Sequence, residues 1–193
     1  ASSSGSITIK TVNAGSNGIS GLLVFSSGTT SKGNSGSISI GSGQAATGAG
    51  GLVSITVGSG DKNAGGAISI VAGSSTQTGT TGQGGSLRLT AGSGAGATGG
   101  AISMIAGEGT ATTSGSIVVK TVNAGTNGIS GGLVFSSGTT TKGDSGTIAI
   151  GSGLATGGHG GSISLTVGNG NTNSGGDIVI TAGESTSTTG TGG

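Results

Sequence analysis

The chain of 193 residues has no proline, cysteine, tryptophan or tyrosine, only two phenylalanines, and eleven charged side chains. Each shortage closes a class of structure. Without cysteine there is neither a disulfide staple nor a thiolate metal site. Without proline, collagen and polyproline rods are excluded, and every backbone N–H remains free to donate a hydrogen bond. Hydrophobic residues make up 30% of the chain and aromatic residues 1%, too little for an ordinary globular core.

Six basic residues, Lys10, Lys32, Lys62, Arg88, Lys120 and Lys142, face five acidic ones, Asp61, Glu108, Asp144, Asp177 and Glu184, spread thinly along the chain. Such a surface has no basic stripe to release counterions from a nucleic acid and no aromatic platform on which bases could stack, so nucleic acid is not an expected partner. No segment approaches the roughly 18 to 20 apolar residues that cross a bilayer, so no membrane span is expected. The start, Ala1-Ser2-Ser3-Ser4, lacks the features of a secretory signal, so secretion would need a signal lying upstream.

What is abundant is glycine, 50 residues, with much serine and threonine. That composition alone reads as a disordered chain. Periodicity argues otherwise. A large apolar residue recurs at Ile7, Leu23, Ile38, Val53, Ile68, Leu87, Ile102, Ile117, Leu133, Ile148, Ile163 and Ile178, at intervals of 16, 15, 15, 15, 19, 15, 15, 16, 15, 15 and 15. A second follows two places later in every unit: Ile9, Phe25, Ile40, Ile55, Ile70, Leu89, Met104, Val119, Phe135, Ile150, Leu165 and Ile180. This is the period of a strand with one covered face. Two places further on, the same face narrows to a small residue, as at Val57, Ala72, Ala91, Ala106, Val167 and Ala182, and glycine follows.

The intervals repeat after 110 residues. Residues 1–83 lie on residues 111–193 without a gap, and 54 of the 83 pairs are identical. The expected organisation is therefore a seven-unit module, 1–110, and a second, incomplete copy, 111–193. Repeats this regular predict units that bury their apolar edges against their neighbours. The expected fold is all-β: a parallel β-solenoid of about twelve nominally 15-residue coils, each a strand, a glycine turn, a polar return run and a second turn. The alternative is a 30-residue coil with two facing sheets. It makes the better core but needs two loops of about nine residues per coil, longer than most connections in compact folds. An antiparallel meander needs the same long loops. In either solenoid the apolar doublets form the core ladder.

Leu22, Val24, Ile105, Val134 and Val179 fall on alternate positions, pointing away from such a core, and are candidates for lateral assembly. Neither end carries an atypical polar capping unit, which predicts a longer chain or subunits joined end to end. A four-residue insertion within Ser74–Gln83 predicts a surface loop.

No chemistry is expected. The five carboxylates sit in different units, and on the 110-residue alignment Asp144 matches Asn34, Asp177 matches Ala67 and Glu184 matches Ser74. His159, the single histidine, matches Ala49 and has no partner for a triad or zinc site. The aspartate per repeat that calcium-binding β-rolls require is missing. The expectation is a non-enzyme without cofactor or metal. Thr76-Gln77-Thr78 and Thr110-Ala111-Thr112 alternate as ice-binding ranks do, but not at the coil period.

Ser20-Gly21-Leu22-Leu23-Val24-Phe25-Ser26-Ser27-Gly28-Thr29-Thr30 and Gly50-Gly51-Leu52-Val53-Ser54-Ile55-Thr56-Val57-Gly58-Ser59-Gly60 resemble Gly/Ser-rich repeats of very large extracellular proteins of algae and other protists. The resemblance covers the whole chain and implies an extracellular or cell-surface setting without catalysis. Together these features predict a structural subunit of an extracellular filament, surface hair or matrix. It would act by coil stacking and by end-to-end and lateral self-assembly, with copies of itself as partners and O-linked glycans on its hydroxyls. The alternatives are the stalk of a surface adhesin and an ice-binding solenoid.

Overall fold

A computed structural model describes residues 4–62, 64–78, 81–172, 174–187, 190 and 192. The chain divides into two units, Ala1–Gly100 and Ala101–Gly193. In each, the governing feature is the same: the small residue that ends one apolar run comes to rest on a glycine that opens the next.

In the first unit these meetings are Thr11 with Gly21, Ser27 with Gly36, Ser42 with Gly51, Val57 with Gly66, Ala72 with Gly85 and Ala91 with Gly100. In the second they are Ala106 with Gly115, Thr121 with Gly131, Ser137 with Gly146, Ser152 with Gly161 and Val167 with Gly176. At the tighter necks the glycine is required by space, whereas at Gly146 an added methyl would meet Ser137 Cβ at an ordinary 3.5 Å. A methyl group on Gly51 would stand 3.1 Å from Ser42 Cβ, and one on Gly176 2.8 Å from Val167 Cγ1. Each segment between run and run is thus closed at its neck, a short loop whose two ends touch.

Hydrogen bonds reinforce some necks. Gly66 N–H donates to the Gly58 carbonyl at 3.3 Å, Gly85 to Gly73 at 2.8 Å, Gly100 to Gly92 at 2.9 Å and Gly115 to Gly107 at 2.9 Å. The Ser42 hydroxyl donates to the Gly51 carbonyl at 2.8 Å, and Thr11 Oγ1 to the Gly21 carbonyl at 3.3 Å. Burial follows the same geography. Thr11, Ser27, Ala72, Ala91, Ala106, Ser137 and Val167, all neck residues, are among the few described residues that are even half-buried.

The loops repeat in detail where the sequence repeats. Gly18 N–H reaches the Gly15 carbonyl at 3.1 Å, and Gly128 N–H reaches Gly125 at 3.1 Å, a tight turn in each longer loop. Thr30 Oγ1 donates to the Lys32 carbonyl at 2.9 Å and accepts from the Lys32 N–H at 3.3 Å, and Thr140 does the same with Lys142. Gly33 and Gly143 follow with φ of 101° and 99°, a left-handed conformation that disfavours any residue with a Cβ. The insertion loop between Ala72 and Gly85 closes like the others; its Gly79 and Thr80 lie outside the described residues.

The expected β-solenoid is not what forms. Among the described residues there is no helix and no β-strand. A parallel solenoid, with coils of 15 or of 30 residues, needs hydrogen bonds between residues a full coil apart. The backbone bonds observed instead join residues 8 or 12 apart at necks, and residues 3 apart in turns. The physical reason lies in the polar segment between runs. It was expected to run back as the second wall of a coil, but it closes on itself at the neck, and no ladder of backbone hydrogen bonds joins one described run to the next. Folded proteins carry about one internal hydrogen bond per residue, and the described residues fall far short of that.

Coverage therefore comes from the run before and the run after. Leu23, Ile38, Val53, Ile68 and Leu87 in the first unit, and Ile117, Leu133, Ile148, Ile163 and Ile178 in the second, are 47–63% exposed, whereas Ile7, in the first run described, is 91% exposed. At the other doublet position Ile180, which no run follows, is 87% exposed.

In hydrogen exchange on the dilute chain, the amides of Gly66, Gly85, Gly100 and Gly115 are expected to exchange about fivefold more slowly than those of Ile55 and Ile70, from a net bond of about 1 kcal/mol. Uniform exchange would contradict the necks, and broad strong protection would contradict the absence of sheet. Gly176→Ala should abolish the nuclear Overhauser contact between residues 167 and 176, while Gly168→Ala, with nothing within 4 Å of the added carbon, should leave it intact.

Candidate functional site

A run of alternating apolar residues with polar neighbours normally hides one face. Here it does not. Among the described residues no hydrophobic side chain is buried, so the doublets from Ile7 and Ile9 through Ile178 and Ile180 form no core ladder within the chain. Each run is covered only in part by the runs beside it, so its side chains stay open to water. The doublets are instead a series of half-covered apolar surfaces.

The residues expected to face outward, Leu22, Val24, Ile105, Val134 and Val179, are also exposed. With no interior to turn away from, the two sets are not separated as inside and outside. Sequence reasoning missed a third set. Val12, Ile19, Val122, Ile129 and Leu154 lie in or beside loops and are among the most exposed apolar residues of the chain. Four of them form two pairs 110 residues apart, within the identical stretches Lys10–Gly15 and Lys120–Gly125 and the shared Asn-Gly-Ile-Ser. That repetition is the available signal, and it runs at the 110-residue period and not at the spacing of the doublets.

The hollows of the second unit show how a run and its loop differ. Phe135, Ile148, Ala149 and Ile150 line an apolar cleft of about 400 Å³. It joins two successive doublets across the neck formed by Ser137 and Gly146. On the loop side of the same neck, Ser137, Gly138, Thr139, Thr140, Gly143, Asp144 and Ser145 line a polar hollow of about 710 Å³. A third hollow, about 450 Å³, is lined by Lys120, Thr121, Val122 and Asn123.

Among the described residues no group of three or more His, Asp or Glu could hold a metal ion. Among the same residues, no helix is long and apolar enough to cross a membrane. The polar contacts are local, such as Arg88 Nε donating to Thr90 Oγ1 at 3.0 Å and Gln77 Nε2 to Thr81 Oγ1 at 3.0 Å. What the surface offers is apolar contact and hydroxyl hydrogen bonding. The chain matches no family model, no curated protein and no solved structure.

The dilute chain should bind an environment-sensitive hydrophobic dye strongly, because its apolar clefts are open to water. Phe135→Ser combined with Ile148→Ser should reduce that signal; an unchanged signal would show that these clefts are not the dye-accessible surface.

Proposed function

We propose that the protein is a structural subunit of an extracellular filament, surface hair or matrix, and that it works by self-association of its apolar runs. The observation that carries this reading is the absence of any buried hydrophobic side chain among the described residues. The chain exposes 18800 Å² of surface, whereas a compact protein of its mass would expose roughly 7,800 Å² and a fully unfolded one roughly 25,000 Å². The excess over the compact value, roughly 11,000 Å², is several times the area of a standard protein–protein interface, about 1,600 Å².

Surface of this kind is driven to associate, since apolar area leaving water is the main favourable contribution in assembly. The runs also present unpaired backbone donors and acceptors, which a second extended chain can satisfy. A copy of the same chain offers the same spacing of doublets, so runs and loops come into register together. The mode of assembly differs from stacking of preformed coils: the missing neighbour of each run is supplied between chains. The loops, rich in exposed Ser and Thr, stay in water and give O-linked sugars places to attach without covering the doublets. The extracellular setting rests on the likeness to repeats of large algal and protist surface proteins and on a nearly neutral, hydroxyl-rich surface.

Sedimentation of the full chain should show association that grows with concentration and with added sulfate, which strengthens apolar burial, and electron microscopy of the associated material should show long uniform filaments. A chain that stays monomeric under both changes would overturn the proposal, and discrete monomeric rods would favour an adhesin stalk.

A further inference from the structure

Resting on that reading, we infer that the first contact between copies is made at the neck of Ser137 and Gly146. There the apolar cleft of Phe135, Ile148 and Ile150 packs against the same cleft of a second copy around a two-fold axis. Three observations meet at this place. It has an apolar cleft of about 400 Å³, open to solvent, directly across the neck from a polar hollow of about 710 Å³. It holds one of only two aromatic side chains in the molecule, Phe135, which is exposed. Its loop carries charges of both signs, Lys142 and Asp144, two residues apart.

The charges decide the occupant. In a two-fold contact, residue i of one copy meets residue j of the other and the reverse. Lys142 then faces Asp144 across the axis twice, while Phe135 enters the partner cleft. The loop that bears Lys142 is held in one shape by the paired Thr140–Lys142 hydrogen bonds and by Gly143 in its left-handed conformation. Its hollow is lined by Thr139, Thr140 and Ser145, which supply hydroxyl acceptors beside Asp144 for an incoming ammonium.

The equivalent loop of the first copy makes the contrast. Phe25, Ile38 and Ile40 repeat the apolar part, but Asn34 stands where Asp144 is, so the loop has Lys32 and no counter-charge. Two such loops on one axis would bring Lys32 to a neutral partner. The apolar surfaces are alike and the electrostatics are not, so self-pairing is favoured at Phe135 over Phe25. Exposed ion pairs add little affinity; their part is to select the register, with the aromatic side chain as anchor.

The test uses the full chain, and the complete lack of cysteine makes it direct. Under mild oxidation Ala149→Cys, which sits in the cleft, should give disulfide-linked dimers readily, and Ser39→Cys, its counterpart in the first copy, should give few. In sedimentation, Phe135→Ala should weaken self-association about thirtyfold, as loss of an interface anchor does, and Phe25→Ala should have a much smaller effect. Lys142→Asp alone should weaken association, and the swap Lys142→Asp with Asp144→Lys should restore it. Equal effects of the two Phe substitutions, or no rescue by the swap, would overturn the inference. If the chain associates but Phe135→Ala changes nothing, this contact falls and the filament reading stands; if the unsubstituted chain does not associate, both fall.

Discussion

The arrangement of the whole chain depends on one contact, a small side chain pressed against the bare Cα of a glycine. Thr11 on Gly21, Ser42 on Gly51 and Val167 on Gly176 are instances of it. The contact needs two things from the sequence: nothing bulky at the last position of a run and no Cβ two places before the next doublet. Where both hold, a polar segment of eight to twelve residues closes without secondary structure of its own. Loop closure costs rise only slowly with length, which is why the longer insertion between Ala72 and Gly85 closes as the shorter segments do.

Much of this was legible. The doublets, their spacing, the narrowing to Ala72 or Val167 and the glycine that follows were all read from the sequence, and they are the residues that organise the structure. What was not legible was the partner. Alternation at Ile38 and Ile40 says that one face differs from the other; it does not say what covers that face, or whether anything in the same chain does. The preference for a 15-residue coil over a 30-residue one turned on treating nine-residue connections as too long to be simple loops. The necks remove that objection, because a segment closed on itself at Ser27 and Gly36 is a loop of tolerable cost. For the surface, the exposed Val12 and Ile19 are not legible in the doublet pattern because they obey the 110-residue repeat and not the 15-residue one.

A chain built this way sits between two familiar outcomes. Its glycine content makes ordering expensive, and its doublets bury too little within one molecule to repay it. Yet the necks hold the doublets at fixed intervals in sequence and keep the polar segments out of their way. On the proposed reading, the chain is thereby prepared for contacts with other copies that it cannot make alone. Association would then remove water from surfaces already in sequence register, with less ordering left to be done at that moment.

The two copies of the module show which part of this preparation is general and which is particular. Between them, the doublets change only among Ile, Val and Leu: Ile9 becomes Val119, Val53 becomes Ile163 and Ile55 becomes Leu165, while Phe25 and Phe135 coincide. Several loops change in kind, with Asn34 becoming Asp144, Ala49 becoming His159 and Asp61-Lys62 becoming Asn171-Thr172. Apolar contact is non-directional and would let any doublet stick to any other. A set of near-identical doublets therefore supplies affinity without choice, and choice has to come from the segments between them. On the inferred contact, placing the loop charges beside the necks, as Lys142 and Asp144 are placed beside Ser137 and Gly146, would put that choice next to the surface whose pairing it decides.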